Sequence, residues 1–140
     1  MNDPVRMTPL LYVDHVENCL PFWIDGLGFE KVLGVEDEGK LLFALLRKGD
    51  QELMLNSRQL IERESPSVAG FAKPGAPVYV DVSNLSRVRE LAGRYPVVVA
   101  EHKTSYGTHE MILQEPGGNL VWFASQEAAE IEPAAATSNG

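Results

Sequence analysis

The chain has 140 residues, enough for one domain with a real hydrophobic core. It is 44% hydrophobic and 23% charged, an ordinary balance for a globular protein, and its formal net charge is −8. Three acids, Glu127, Glu130 and Glu132, lie in the last stretch, so the body is acidic as well; such a surface repels phosphate backbones and argues against nucleic acid. No apolar run approaches the length of a membrane span, and the opening MNDPVRMTP lacks the pattern of a secretory signal. The single cysteine, Cys19, excludes an intrachain disulfide, which fits a reducing cytoplasmic setting.

In chain order, residues 8–13 (TPLLYV) read as a strand. Val16, Leu20, Trp23 and Leu27 fall at helical spacing, so residues 16–26 read as a helix; Pro21 favours a start near Asn18, and Gly26-Leu27-Gly28 ends it. Strands follow over 29–35, 41–47 and 51–56, joined by Asp37-Glu38-Gly39 and Lys48-Gly49-Asp50 turns. Residues 57–76, rich in Ser, Pro and Gly, read as a linker with one helical turn around Leu60–Arg63. The order then restarts: a strand over 78–82, a helix over 84–94 with Leu85, Val88 and Leu91 inward, a strand over 96–101, a loop over 102–108, and strands 109–114 and 120–124 around the turn Glu115-Pro116-Gly117-Gly118-Asn119. The tail, 126–140, is short of large apolar groups and reads as disordered. The expected architecture is one α+β domain over 1–125, made of two tandem βαβββ modules (8–56 and 77–125) that form a curved mixed sheet around a cleft. One helix covers one face of each sheet, and the uncovered faces are the expected ligand site.

The stretches LLYVDHVENCLPFWIDGLGFEKV (10–32) and YGTHEMILQEPGGNLVWFA (106–124) resemble the vicinal oxygen chelate superfamily, which includes glyoxalase I, extradiol dioxygenases and bleomycin-resistance proteins. The first is similar to the family's strand, capped helix and "FW…LGF" exit. The second is similar to its final hairpin, "G-x-x-E…D-P-x-G-N", with Glu115 in place of the usual Asp. The scaffold hosts many reactions and some plain binding proteins, so function has to come from the site.

The resemblance implies that enzymes of this type hold a divalent metal with His, Glu or Gln from the first and last strands of each module. Carried onto this chain, those positions are Thr8, Glu52, Pro77 and Trp122. Only Glu52 suits a hard or borderline cation; proline offers no side-chain donor atom and the indole N–H has no lone pair for a metal. Shifting the strands by two residues, which preserves the face, offers Arg6, Leu10, Gly75, Tyr79, Leu120 or Ala124, none a usual ligand. No metal, cofactor or catalytic residue is therefore assigned.

Strand alternation turns Leu10, Tyr12, Glu52, Met54, Asn56, Tyr79, Asp81, Leu120 and Trp122 toward the expected cleft. The candidate ligand-binding residues are Tyr12, Glu52, Met54, Tyr79, Tyr106 and Trp122. Glu52 or Asp81 would pair with an ammonium on the ligand, and an aromatic neighbour would add about 1 kcal/mol of cation–π attraction. Trp122 has a competing assignment as core filler, and the tyrosines as dimer contacts. His109 and Glu110 are adjacent on a strand and point to opposite faces, which weakens them as an acid–base pair. The expected function is metal-free sequestration of a planar or aromatic, possibly cationic, compound in the bleomycin-resistance manner, in a homodimer as the resemblance implies. The alternatives are a metal-dependent glyoxalase-like lyase, isomerase or dioxygenase, and an interaction module without a small ligand.

Overall fold

A computed structural model describes residues 5–126; the expected disordered tail lies outside the described residues apart from Gln126. The chain is α+β, with two four-stranded mixed sheets. The described residues divide into two compact units, one holding residues 5–76 together with Pro116–Asn119, the other holding Pro77–Glu115 and residues 120–126.

In unit 1, β1 (Leu10–Val13), β2 (Glu30–Asp37), β3 (Lys40–Lys48) and β4 (Gln51–Ser57) form a sheet in the order β1-β4-β3-β2. β1 runs parallel to β4, and the rest is antiparallel. The β2–β3 turn has Glu38 at φ 52° and Gly39 at φ 80°, the paired left-handed residues of a tight hairpin whose twist matches the strands. Alternation sorts the faces as expected. Leu11, Val13, Leu42, Ala44, Leu46, Leu53 and Leu55 are buried on one face, and α1 (Val16–Leu20) packs against β3 and β4. Trp23 anchors this core, edge-on to Phe22 at 5.2 Å and to Phe29 at 5.8 Å between ring centroids.

The first helix begins at Val16, not near Asn18, and continues past Pro21. Pro21 cannot donate to the carbonyl one turn back, and the chain answers by widening into a π turn over Pro21–Gly26. Phe29 N–H then closes the end on Trp23 O at 3.0 Å. The linker holds more structure than one turn: α2 (Arg58–Glu64) is capped by the Ser57 hydroxyl, which accepts from Leu60 N–H at 3.2 Å, and a 3₁₀ turn follows over Pro66–Val68.

Unit 2 repeats the plan. β5 (Pro77–Asp81), β6 (Val97–Lys103), β7 (His109–Gln114) and β8 (Leu120–Ser125) take the order β5-β8-β7-β6, with β5 parallel to β8. From α3 (Ser86–Ala92) and the residue before it, Leu85, Val88 and Leu91 are buried, as are Met111, Leu113, Val121 and Phe123 on one face of the sheet. The edge strands β2 and β6 are bulged and expose Val32, Leu33 and Val35, and Val97, Val98 and Val99. Among the described residues no helix is long and apolar enough to cross a membrane.

Candidate functional site

The chemistry of unit 2 gathers around Glu110. This residue sits on β7 with its Cα opposite Ala124 of β8, and Ile112, two residues on, lies opposite Trp122. Trp122 in turn lies beside Tyr79 of β5. Period-two alternation therefore puts Glu110, Trp122 and Tyr79 on one face, opposite the buried Met111, Leu113, Val121 and Phe123. Tyr106 joins them from the β6–β7 loop. That loop is drawn tight by Thr104, whose N–H and hydroxyl donate to Thr108 O at 2.8 and 3.2 Å, and by Gly107 at φ 98°, a conformation that favours glycine.

The Glu110 side chain is enclosed, the residue being only 1% exposed. Its Oε1 accepts from the Trp122 indole N–H at 2.7 Å. Its Oε2 accepts hydroxyl hydrogen bonds from Thr108 at 2.8 Å, Tyr106 at 3.1 Å and Tyr79 at 3.3 Å. Burial opposes ionisation of this carboxyl, but the donors, with Trp122 and Thr108 foremost, outweigh it and hold its pKa below the ordinary value. The tyrosines respond in the opposite sense. Desolvation first, and then the Glu110 charge, push the Tyr79 phenol up; desolvation and the Glu110 hydrogen bond push Tyr106 up. Both phenols are thus held as donors to a carboxylate. Tyr79 is nevertheless 54% and Tyr106 68% exposed, so their hydroxyls are tied inward while much of their surface meets solvent.

The Trp122 side chain is half-buried, and its polar atom is satisfied by Glu110 in the same unit. His109 does not meet Glu110: its Nε2 lies 3.2 Å from Glu101 Oε2, where Arg89 also pairs with the same carboxylate. Glu110, bearing four hydrogen bonds and a lowered pKa, is a poor general base. Among the described residues no cation pairs with it; His102, opposite it on β6, is exposed and its Nδ1 lies 3.0 Å from Ala100 O.

In unit 1 the other side of the sheet holds Leu10, Tyr12, Met54 and Asn56, with Leu10 opposite Met54 and Tyr12 opposite Asn56. Tyr12 and Met54 are half-buried there. The Tyr12 carbonyl accepts from Asn119 Nδ2 at 3.3 Å, while Asn119 Oδ1 accepts from Gly75 and Ala76 N–H at 2.8 and 3.0 Å. Glu52, expected with Asp81 as a partner for a ligand ammonium, is engaged by cations of its own unit. Its Oε2 already accepts from Arg47 Nε and Nη2 at 2.9 and 2.7 Å and from Arg6 Nη1 at 2.6 Å, and only 6% of its side chain is exposed. Those two guanidinium groups, Arg47 first, hold its pKa below the ordinary value. Sequence reasoning alone misses these partners, because Arg6 lies outside any strand and Arg47 meets Glu52 only through the β3–β4 register.

The registers also revise the carried-over metal positions. If Val13 and Val82 are equivalent, Leu10 matches Tyr79, and the residue beside each is Met54 in unit 1 and Trp122 in unit 2. Met54, not Glu52, is the counterpart of Trp122. A thioether, a threonine hydroxyl, a proline and an indole form a donor set unfit for a divalent metal, and Glu52 is engaged by arginines in any case. Among the described residues no group of three or more His, Cys, Asp or Glu side chains is disposed to hold a metal ion.

No family model and no curated protein matches the chain by sequence. Solved structures do match in fold. TioX from Micromonospora sp. ML1 is 20% identical, with a TM-score of 0.70 over 88% of this chain and 99% of that one. Lactoylglutathione lyase from Agrobacterium tumefaciens is 22% identical, with a TM-score of 0.65 over 90% and 97%. The bleomycin-binding protein from bleomycin-producing Streptomyces verticillus, solved with copper(II)-bleomycin, is 24% identical, with a TM-score of 0.58 over 89% and 98%. At these identities the likeness is one of fold alone, shared with structures described as glyoxalase/bleomycin resistance protein/dioxygenase proteins.

Proposed function

We propose that this protein binds and sequesters a planar, aromatic small molecule without converting it and without a metal, using the Tyr79, Tyr106 and Trp122 face of unit 2. The observation that carries the reading is the Glu110 cluster. Three aromatic side chains, two of them more than half exposed, are pinned through their polar atoms to one buried carboxylate. Holding rings in place before binding lowers the ordering cost of a stacking interaction, and aromatic faces favour flat, apolar partners. Tyr12 and Met54, half-buried on one side of the unit 1 sheet, are proposed as a separate ligand-contact surface of that unit. A protein of the same architecture was solved with copper(II)-bleomycin bound, which supports ligand binding as a use of this scaffold.

A metal-dependent lyase, isomerase or dioxygenase is the second reading, raised by the lactoylglutathione lyase neighbour. The donor set argues against it, since Glu52 is neutralised by Arg47 and Arg6 and Glu110 is consumed by hydrogen bonds. A homodimer is proposed as well, on the three consecutive exposed valines of β6 and the apolar residues of β2. The test is a tryptophan-fluorescence screen of planar aromatic compounds, with elemental analysis of protein purified without chelator. Saturable quenching at substoichiometric metal is expected; stoichiometric tightly bound zinc, nickel, manganese or iron would instead favour the enzyme.

A further inference from the structure

We propose that the Tyr79, Tyr106 and Trp122 face selects a planar organic cation whose charged nitrogen carries no N–H, such as an N-alkylated ring, over a neutral ring of the same shape and over a primary ammonium. The inference rests on the binding reading above and adds to it the charge and substitution of the ligand.

Three features of unit 2 lead there. Glu110 carries a charge that no cation among the described residues compensates, at 1% exposure. A charge in such surroundings is weakly screened, so its field reaches the neighbouring groups. Those groups are aromatic and partly exposed: Tyr79 and Tyr106 donate their hydroxyls to the carboxylate. A phenol donating to an anion becomes richer in electrons, which deepens the negative potential of its ring face, the surface a cation meets. Finally, Glu110 is closed to the ligand as an acceptor. It is 1% exposed and already takes four hydrogen bonds, three on Oε2 and one on Oε1, so burial and its own donors shut a ligand N–H out. A primary ammonium brought onto the rings loses water from N–H groups that find no replacement at Glu110. An N-alkylated nitrogen keeps the charge and loses no hydrogen bond. Asp81, exposed on the same side of β5 as Tyr79, is the one acceptor nearby on that strand that a primary ammonium would use.

The experiment titrates the full chain with N-methylquinolinium, with quinoline above its own protonation range, and with the primary ammonium 1-(aminomethyl)naphthalene, by calorimetry and by the Trp122 indole N–H resonance. N-methylquinolinium is expected to bind about tenfold tighter than quinoline. Glu110→Gln, which removes the charge at nearly constant shape, is expected to erase that ratio. Because this variant can fail to fold, Tyr79→Leu and Tyr106→Leu, at exposed positions, serve as the second test; each is expected to weaken N-methylquinolinium more than quinoline. Equal affinity for the charged and neutral rings would overturn charge selection and leave the aromatic-binding reading standing. Tightest binding of the primary ammonium, lost in Asp81→Asn, would overturn the preference for a nitrogen without N–H. Binding of none of the three probes would overturn both the inference and the reading beneath it.

Discussion

Replacing Glu110 by alanine sets two large effects against each other. The substitution removes a buried charge, which favours the folded state, and strips four donors of their acceptor, which disfavours it. The direction of the pKa shift decides between them: the folded site holds the carboxyl below its ordinary value, so the donors stabilise the ionised form by more than burial penalises it. The magnitude comes from the donors that cannot turn to water. The Tyr79 and Tyr106 hydroxyls belong to exposed residues and rehydrate. Thr108 is buried but lies 2.7 Å from Thr104 Oγ1, which partly replaces the lost partner. Trp122 has no such substitute for its 2.7 Å bond. At about 1–3 kcal/mol for each buried donor left unpaired, the loss is about 2–4 kcal/mol. With a urea m-value of about 2 kcal/mol per molar, the unfolding midpoint falls by roughly 1–2 M. Urea unfolding followed by far-UV circular dichroism measures it, with Tyr79→Phe as a control expected within about 0.5 kcal/mol of wild type. A Glu110→Ala midpoint within roughly 0.3 M of wild type, or above it, would refute the reasoning.

Acid should destabilise the protein in a defined window. The pKa values of Glu17, Glu52, Glu101 and Glu110 are all lowered from 4.5 by the fold, so the folded state binds fewer protons than the unfolded chain there. Their stabilisation is present above about pH 4.5 and is lost as pH falls through the folded values. Urea midpoints measured at stepwise lower pH should therefore drop in that range, and drop less in Glu110→Gln; a midpoint that rises on acidification contradicts the signs. Asn119→Ala removes the buried amide that serves Gly75, Ala76 and Tyr12, and should cost about 2–4 kcal/mol in the same assay, whereas loss below 0.5 kcal/mol would mean those hydrogen bonds are readily replaced. The two tryptophans should separate cleanly: Trp23→Ala empties the unit 1 core at a cost of about 3–5 kcal/mol, while Trp122→Ala retains the fold and loses ligand quenching. A folded Trp122→Ala variant that binds as tightly as wild type removes this residue from the site.

Much of the fold was legible because hydrophobic alternation survives in the strands. Leu53 and Leu55, or Val121 and Phe123, are buried while Met54 and Trp122 between them are not fully covered, as period two requires. Pro21 misled because a lone proline reads as a first-turn residue, and nothing local announces that a π turn will absorb it. The candidate site was legible only in part. Tyr79, Tyr106 and Trp122 were placed by alternation and by their loop, but the residue that joins them was not among the candidates. A signal existed: Glu110 is an acid immediately before the apolar run Met111-Ile112-Leu113, on the same face parity as Trp122 across the hairpin. Reading it needed the β7–β8 register, which fixes which residues stand opposite each other and which the turn sequence alone left open by two positions. The arginine partners of Glu52 are hidden for the same reason, since Arg6 and Arg47 are separated from it by 46 and 5 residues.

The central claim is tested most directly at the Trp122 indole N–H, whose resonance reports both its bond to Glu110 and anything stacked beside it. In a ¹H–¹⁵N spectrum of the labelled chain titrated with N-methylquinolinium, the Trp122 side-chain peak should shift saturably while that of the buried Trp23 stays in place. A Trp122 peak that does not move at saturating concentrations of this or any planar aromatic compound, in a protein whose spectrum is otherwise folded, would contradict it.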